Sequence, residues 1–258
     1  MALNPKIVDW RGRRVWILGA SSGIGESLAR TLAARGARLA LSARRAERLA
    51  AVAAQCPEGS TLVLPCDITD ADAVATANGE IHRQWQGVDL VIVMAGDYVP
   101  LSAENFALPP ARALIEVNLQ GPLNVLSTLL PRIQRGDTPG IALVSSVAGY
   151  RGLPRSLVYG PGKAALINLA ESLYLDLHGR GCGVWIINPG FVRTPLTAQN
   201  EFDMPFIISA EEAAEAIVKG FAAGGFEMHF PKRFSRLLKF MQLLPYALYF
   251  RLVARITR

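Results

Sequence analysis

The sequence predicts an α/β protein with a doubly wound parallel sheet in a single domain, followed by a helical C-terminal tail. Short apolar stretches of four to seven residues alternate with amphipathic stretches of helical period. Strands that are apolar on both faces must be covered on both sides, so this alternation favours a parallel sheet between two layers of helices. The 258 residues are 51% hydrophobic and 19% charged, which allows one large core and excludes a disordered chain.

The elements follow one another in a regular order. Seven strands are predicted, at residues 15–18, 39–42, 61–64, 88–94, 141–145, 184–188 and 226–230. Six helices accompany them, at residues 25–35, 46–55, 71–85, 110–130, 158–177 and 211–222. Ser209, followed three residues later by Glu212, forms the pattern of a capping box and marks the start of the last of these helices. We assign residues 1–230 to the domain and residues 231–258 to the extension, since no linker-like stretch separates two larger units.

Composition excludes several other classes of protein. No stretch reaches the roughly 18 apolar residues of a membrane-spanning helix, and the polar start does not resemble a signal peptide, so we expect a cytoplasmic protein. The cysteines Cys56, Cys66 and Cys182 show neither paired spacing nor a neighbouring histidine cluster. We therefore expect buried thiols and no metal site.

A glycine-rich turn follows the first predicted strand and leads directly into the first helix. Glycines let the backbone approach a pyrophosphate, whose charge is favoured by the N–H groups at a helix N-terminus. A plain tight turn is the alternative, but the strand before it and the helix after it favour a dinucleotide site. The residues expected to hold the cofactor here are Gly19, Ser21, Ser22, Gly23, Ile24 and Gly25.

A second group of residues is suited to proton transfer. Tyr159 and Lys163 are four residues apart and therefore share one face of a predicted helix. A neighbouring ammonium favours the phenolate, so we expect the pKa of Tyr159 to lie below its usual value of about 10. Ser146 lies at the end of a predicted buried strand, where the catalytic groups of open sheets gather. An ordinary tyrosine of the core is the alternative.

These motifs together resemble those of the short-chain dehydrogenase/reductase family, whose glycine turn has the spacing G-x-x-x-G-x-G and whose serine precedes the tyrosine by thirteen residues. The resemblance covers residues 14–230 and implies a Rossmann-like fold and NAD(P)-dependent interconversion of a carbonyl compound and its alcohol. It implies that Ser146 holds the substrate oxygen, that Tyr159 exchanges a proton with it, and that Lys163 lowers the tyrosine pKa and holds the nicotinamide ribose. Asn118 matches the residue that holds a water in the proton relay, with an ordinary residue at a helix kink as the alternative.

The resemblance also assigns the other cofactor contacts. NAD-preferring members carry an acid after the second strand, but here Ala43 stands there and Arg44 follows with a guanidinium suited to a 2′-phosphate. NADP(H) is therefore favoured over NAD(H), unless Arg44 and Arg45 are solvated charges at a helix start. Asp67 and Ile68 are expected at the adenine, with capping of the next helix as the alternative for Asp67. The remaining contacts are assigned to Ala95, Gly96, Pro189, Gly190, Val192 and Thr194, besides Tyr159 and Lys163.

Three positions depart from the family pattern. Leu18 stands where the family usually has threonine, and Met94 where it usually has asparagine. We expect these two side chains to replace a hydrogen-bonded support by packing together. Pro161 lies between two glycines just after the tyrosine, and proline is costly inside a helix beyond the first turn. We therefore expect this helix to start late.

An apolar segment at residues 191–209 lies where the family places its mobile substrate loop, so we expect an apolar carbonyl or alcohol substrate. Tyr98, Val99 and Pro100 are expected in the same pocket. The resemblance further implies a homo-oligomer, dimer or tetramer, across the helices that contain Asn118 and Tyr159. The apolar loop residues are Leu196, Phe202, Met204, Pro205, Phe206, Ile207 and Ile208.

The net charge of +6 belongs to the C-terminal tail. No acid follows Glu227, whereas seven bases do, so the rest of the chain carries a net charge of −1. Two amphipathic stretches separated by Pro245 fit helices that lie on a membrane surface, the second with Arg251, Arg255 and Arg258 on one face. The alternative is a helix pair over the substrate pocket or a partner subunit. Nucleic acid is disfavoured, because the bases alternate with long apolar side chains.

A catalytically silent nucleotide-binding scaffold or regulatory protein, with a tail that binds a membrane or a partner, is the competing interpretation. The apolar residues Leu18 and Met94 favour it. The complete set of Ser146, Tyr159, Lys163 and Asn118 argues against it.

Overall fold

The computed structural model describes residues 2–134, 140–199 and 203–256. Its seven strands form one parallel sheet in the order β3-β2-β1-β4-β5-β6-β7. The chain starts at the centre, winds to one edge and then returns to build the other half, so the predicted doubly wound sheet is confirmed. The strands are β1 (Arg14–Leu18), β2 (Arg38–Ser42), β3 (Thr61–Val63), β4 (Leu90–Val93), β5 (Gly140–Val144), β6 (Val184–Pro189) and β7 (Glu227–Phe230).

The predicted helices are also present, with ends that mostly differ by one or two residues. The helices are α1 (Gly23–Ala33), α2 (Ala46–Ala53), α3 (Ala71–Trp85), α4 (Leu108–Ile115), α5 (Gly121–Gln134), α6 (Tyr159–Leu177), α7 (Ala210–Ala223), α8 (Lys232–Gln242) and α9 (Tyr246–Ile256). The helix predicted at residues 110–130 is in fact interrupted by a turn of π-helix, Glu116–Gln120, between α4 and α5. The capping box of α7 is confirmed: the Ser209 hydroxyl accepts from the Glu212 N–H, and the Glu212 carboxylate accepts from the Ser209 N–H.

Successive residues of the strands point to opposite faces of the sheet and contribute to two apolar cores, one on each face. On one face, Ile17, Leu39 and Ile92 pack with α1, α2 and α7. On the other, Trp16 and Val91 pack with α3, α5 and α6. All of these strand residues are fully buried, as expected for a sheet covered on both sides. The two layers hold the carboxyl ends of the strands in place around the site.

The expectation that Leu18 and Met94 pack together is wrong. Leu18 belongs to the core formed with α3, α5 and α6, whereas Met94 packs against the core on the opposite face. The reason is the register, because Leu18 pairs with Val93 and the next residue, Met94, must point to the other side. Only their backbones meet, where the Met94 N–H donates to the Leu18 carbonyl at 2.9 Å.

Helix α6 begins at Tyr159 itself, so it does not start late. Pro161 lies in its first turn, where the N–H that proline lacks would have no partner within the helix. The Gly162 N–H already donates to the Val158 carbonyl at 3.1 Å. The Tyr159–Lys163 spacing is therefore helical, as the sequence requires.

The C-terminal tail forms the two short helices α8 and α9, separated at Pro245 as predicted. Phe234 of α8 stacks on Phe191 in the apolar segment at residues 191–209, with ring centroids 5.1 Å apart. Part of the tail thus packs beside this segment. The loop residue Phe202 and the terminal Arg258 lie outside the described residues. Among the helices that the structure describes, none is long and apolar enough to cross a membrane.

The cysteines partly match the expectation of buried thiols. Cys66 and Cys182 are buried, whereas Cys56 is only half-buried. Within the described ranges, no group of three or more His, Cys, Asp or Glu side chains comes together.

Candidate active site

A cleft of about 400 Å³ opens at the carboxyl ends of β1, β2 and β4, where the winding of the sheet reverses. Open α/β sheets bind their ligands at this point. The cleft brings together twelve of the residues predicted to hold the cofactor. They are Gly19, Ser21, Ser22, Gly23, Ile24, Gly25, Arg44, Asp67, Ile68, Ala95, Gly96 and Thr194.

The glycine turn is shaped so that no side chain fits on its inner positions. Gly19 has φ +96°, and a Cβ there would lie 2.6 Å from the Ala95 nitrogen. At Gly25 a Cβ would lie 2.1 Å from the Gly19 carbonyl oxygen. Ser22, the N-cap residue of α1, makes no side-chain cap, so the first N–H groups of the helix face the cleft without that partner. The turn therefore fits the pyrophosphate of a dinucleotide.

Gly25→Ala is expected to weaken NADPH binding at least about tenfold, a loss of about 1.4 kcal/mol. The added methyl group would displace the Gly19 carbonyl and with it the turn that receives the pyrophosphate. Fluorescence titration with NADPH measures the effect. Gly79→Ala is the matched control, because nothing lies within 4 Å of its Cβ and it is internal to α3. It should leave binding unchanged and stabilise the fold by up to about 1 kcal/mol. If Gly25→Ala bound NADPH as tightly as the unaltered protein, the turn would not be part of the cofactor site.

Two arginines lie at the end of the cleft next to β2. Arg44 is exposed and lines the cleft, as predicted. The sequence assigns Arg45 only to the alternative of a solvated charge, yet it also lines the cleft and donates to the Ser21 hydroxyl at 3.4 Å. The Arg-Arg doublet directly after a strand was the signal that could have identified it. At the position after β2 where an acid would bind a ribose hydroxyl, the cleft has Ala43.

Asp67 does not cap the helix that follows it. Asp70 is the N-cap residue of α3, with its carboxylate accepting from the N–H groups of Asp72 and Ala73. Asp67 instead accepts from the backbone and hydroxyl of Thr69 and lines the cleft beside Ile68. Its contact with the adenine stays a prediction.

Tyr159 is half-buried, with its phenol next to two other hydroxyl-bearing residues. Burial raises the pKa of Tyr159 to about 12, an effect that the Ser146 hydroxyl opposes and Tyr98 reinforces. The rings of Tyr98 and Tyr159 meet edge to face, with centroids 5.0 Å apart. The expectation of a lowered tyrosine pKa is therefore wrong, because enclosure of the phenol dominates. At neutral pH this phenol holds its proton and is ready to donate it.

Lys163 lies one helical turn after the tyrosine and is buried. Its ammonium is 5.6 Å from the centre of the Tyr159 ring and donates to the Val144 carbonyl at 3.1 Å. Burial lowers the pKa of Lys163 to about 8. The lysine thus remains mostly charged at neutral pH but does not touch the phenol oxygen directly.

Asn118 and Lys163 converge on Gly96 at the inner end of the cleft. A Cβ on Gly96 would lie 2.9 Å from Asn118 Oδ1 and 3.2 Å from Lys163 Nζ. Asn118 is buried in the π-helical turn, and its amide exchanges hydrogen bonds with the backbone N–H and carbonyl of Asp97. The residue thus lies at the break between α4 and α5, as the alternative expected, and it also borders the site, while its role in holding a water stays a prediction. Such π-turns are frequent at functional sites.

Ser146 follows β5 and is fixed by backbone groups. Its hydroxyl oxygen accepts from the Ala148 N–H at 3.1 Å, and its proton points to the Pro189 carbonyl at a long 3.4 Å. A ligand oxygen could replace this weak second contact. Ser145 is unavailable, because its hydroxyl donates to the Lys163 carbonyl at 2.6 Å.

Comparison with known proteins decides the family. Residues 13–204 match the family described as short chain dehydrogenase. The chain belongs to the short-chain dehydrogenase family. An uncharacterized oxidoreductase of Myxococcus xanthus is 35% identical to it over 239 residues, which make up 92% of this chain and 94% of that protein. An uncharacterized oxidoreductase of Mycobacterium tuberculosis is 32% identical over 203 residues, or 77% of this chain and 80% of the relative.

The fold of this short-chain dehydrogenase is shared with solved structures. A short-chain dehydrogenase from Burkholderia cenocepacia, described as a complex with NADP, has a TM-score of 0.80 at 24% identity, covering 98% of this chain and 99% of the other. One from Streptomyces avermitilis has a TM-score of 0.77 at 24% identity, covering 88% and 92%. The Rossmann-like fold is thereby confirmed. Together with the family, it makes this chain an NAD(P)-dependent dehydrogenase or reductase rather than a silent scaffold.

Five predicted cofactor residues of the dehydrogenase lie outside the cleft lining: Tyr159 and Lys163 of α6, and Pro189, Gly190 and Val192 at the end of β6 and just after it. The Gly190 N–H donates to the Phe230 carbonyl at 2.7 Å, and Val192 is buried and bridges to Ile208. The Pro189 carbonyl is the partner of Ser146. Thr194, which follows them, faces Gly23 across the cleft. The roles of Pro189, Gly190 and Val192 at the nicotinamide carboxamide therefore stay predictions.

Proposed function

We propose that this short-chain dehydrogenase uses NADPH to reduce an apolar ketone or aldehyde to its alcohol. The observation that carries the proposal is the half-buried Tyr159, whose ring packs on Tyr98 and whose phenol lies next to Ser146 and keeps its proton at neutral pH. A protonated group is what carbonyl reduction needs, since the oxygen must gain a proton. Loss of NADPH absorbance with a panel of apolar ketones and aldehydes tests the activity, and failure of every compound to support NADPH oxidation would contradict it.

The glycine turn, with its close backbone approach and free helix end, fits a bound dinucleotide, which supplies the hydride to the carbonyl carbon. In our proposal Ser146 turns its hydroxyl from the Pro189 carbonyl to the substrate oxygen and holds it as negative charge develops. Tyr159 then donates its proton to that oxygen. The Lys163 ammonium stabilises the phenolate that remains and binds the nicotinamide ribose, and Asn118 holds a water through which the proton is replaced.

The preference for NADPH is supported by the two arginines at the end of β2. Arg44 and Arg45 both line the cleft, and the residue before them, Ala43, carries no charge that would repel a 2′-phosphate. The Burkholderia cenocepacia structure, which has the same fold, is described as a complex with NADP.

Arg44→Ser is expected to lower kcat/KM with NADPH by about tenfold or more, because a charge-assisted hydrogen bond to the phosphate contributes about 1.5–3 kcal/mol. The same variant should change kcat/KM with NADH by less than about threefold. Steady-state rates with both cofactors measure the ratio. Arg112→Ser, which removes an exposed arginine on α4, is the control and should alter neither value. Equal losses with NADPH and NADH would contradict a role in selecting the phosphate.

The apolar nature of the substrate is supported by the residues around Tyr159. Tyr98 packs on the catalytic ring, and Gln199 in the substrate loop donates to the Tyr98 carbonyl at 2.9 Å. The loop thus reaches across to Tyr98, with the apolar Leu196 at the edge of the cleft. Such surroundings favour a ligand with an apolar body and one polar oxygen.

We also propose a homo-oligomer built across α4, α5 and α6. Ile115, Leu123 and Leu175 leave these helices with exposed apolar side chains that a second copy could cover. The enzyme is proposed to act in the cytoplasm, with the inner face of a membrane as the alternative that its basic tail favours.

A further inference from the structure

Helices α8 and α9 expose many large apolar side chains. Of sixteen large apolar side chains that are exposed among the described residues, seven lie in these two helices and the turn between them. Leu243 is 81% exposed and Phe240 62%. Scattered exposed apolar residues are ordinary, but seven of them within residues 237–252 indicate a binding surface. We name this group the tail face: Leu237, Phe240, Leu243, Tyr246, Leu248, Phe250 and Leu252.

The tail face is exposed although α8 is firmly attached to the domain. Lys239 on its inner side forms an ion pair with Glu227 of β7. The same carboxylate accepts from the Tyr150 hydroxyl and from the Asn188 amide. Burial tends to raise the pKa of Glu227, and these three donors outweigh it and lower the pKa. The position of α8, and with it the outward direction of its apolar side, is therefore fixed.

The turn and α9 are held equally well. The Arg151 guanidinium donates to the carbonyls of Met241 and Leu244 at the end of α8 and lies over the Tyr249 ring at 4.0 Å. Tyr249 is buried, and its hydroxyl donates to the Gly152 carbonyl at 2.6 Å. The apolar residues on the other side of these helices are thus presented to the outside by a rigid platform.

The charges around the tail face determine which partner it fits. Lys232, Arg233, Arg236, Arg251 and Arg255 are all exposed, and no acid follows Glu227. A second copy of this chain, docked face to face, would bring only like charges together around the apolar centre. An anionic surface would instead neutralise them. Each helix has eleven residues, too few to span a bilayer but suited to lying in its interface.

We propose that the tail face docks this enzyme on the surface of an anionic lipid bilayer. Leu237, Phe240, Leu243 and their neighbours enter the headgroup region, and the exposed bases contact lipid phosphates. Phe234 on the inner side of α8 stacks on Phe191, so docking holds the substrate loop close to the lipid. The binding itself is independent of the reductase activity.

Sedimentation of the full-length protein with vesicles tests the proposal. Binding is expected to vesicles of phosphatidylcholine with phosphatidylglycerol, to be much weaker with phosphatidylcholine alone, and to decrease with salt. Phe240→Ser/Leu243→Ser should weaken binding about tenfold or more through lost apolar burial. Arg251→Gln/Arg255→Gln should weaken it by a similar factor.

Matched controls separate the tail face from exposed residues in general. Val8→Ser removes an apolar side chain that is 74% exposed elsewhere, and Arg112→Gln/Arg180→Gln removes two exposed bases elsewhere. Both should bind vesicles as the unaltered protein does, and all variants should keep its rate with a water-soluble carbonyl. The proposal is overturned if the unaltered protein ignores anionic vesicles at low salt, or if both tail variants still bind fully. It is also overturned if Phe240→Ser/Leu243→Ser abolishes self-association instead, which would make a second copy the partner.

Discussion

Tyr159→Phe is expected to lower kcat for carbonyl reduction by about a thousandfold, the range found when a positioned acid is lost. The ring can stay in place against Tyr98, because phenylalanine keeps the edge-to-face contact. Only the hydroxyl, and with it the proton that it supplies, is removed. Affinity for NADPH should therefore change by less than about threefold. Steady-state kinetics and a fluorescence titration with NADPH measure the two quantities separately.

A second tyrosine on the same helix provides the control. The hydroxyl of Tyr174 donates to the Leu3 carbonyl, far from the cleft, so Tyr174→Phe should leave kcat close to that of the unaltered enzyme. If Tyr159→Phe kept more than about a tenth of the activity, a different group would have to be the proton donor.

Lys163→Met is expected to have two effects of opposite sign. Turnover should fall about a hundredfold, because the charge that favours the phenolate is lost. The free energy of unfolding at pH 7 should rise, by at most about 3 kcal/mol, because burial lowers the pKa of Lys163 from 10.5 to about 8. The charged lysine is thus held in the folded protein at a cost. The lost bond to the Val144 carbonyl offsets part of the gain.

The pH dependence distinguishes this origin from others. The pKa is lower in the folded state, so the unfolded chain binds more protons between about pH 8 and 10.5, and stability rises with pH in that window. The cost is complete below about pH 8 and absent above 10.5, so the advantage of Lys163→Met should shrink across it. Reductase activity should decline above about pH 8 as Lys163 loses its charge, well before Tyr159 titrates near 12.

Urea unfolding at pH 7 and at about pH 10 measures the stability difference. Lys219→Met removes an exposed lysine from α7 and should show neither the gain nor its pH dependence. A Lys163→Met protein that is less stable at pH 7, with the same pH dependence as the unaltered chain, would contradict the account of a buried charge that is costly to hold.

The alternation of strands and helices was predictable because both layers are built from local periodicity. The glycine turn was predictable for the same reason, since its geometry depends on neighbours in sequence. The opposite facing of Leu18 and Met94 was missed because it depends on the register between β1 and β4, which no local pattern contains. The π-turn at Asn118 was anticipated only as a possible helix kink, because one extra residue in a turn leaves the apolar pattern almost unchanged.

The chemistry of the site was only partly predictable. Spacing along α6 brought Tyr159 and Lys163 to one face, but the direction of the tyrosine pKa depends on how completely the phenol is enclosed. That enclosure comes from Tyr98 and other segments distant in sequence. The contact of Arg45 with Ser21 likewise joins two loops and could be suspected only from the adjacent arginines.

The contacts of Glu227 show that the C-terminal helices also support the domain. Three donors from three separate segments converge on this one carboxylate, and Lys239 is the positively charged one. A protein shortened at residue 231 would keep the acid but lose its counter-charge, a change that is usually far more damaging than deleting a surface appendage. The carboxylate without its counter-charge would still be bonded to Tyr150 and to Asn188, in the strand that leads into Pro189 and Gly190, so the disturbance would start there. Truncation would therefore disturb the catalytic half of the molecule. Substitution of single exposed side chains is the better way to separate membrane binding from catalysis.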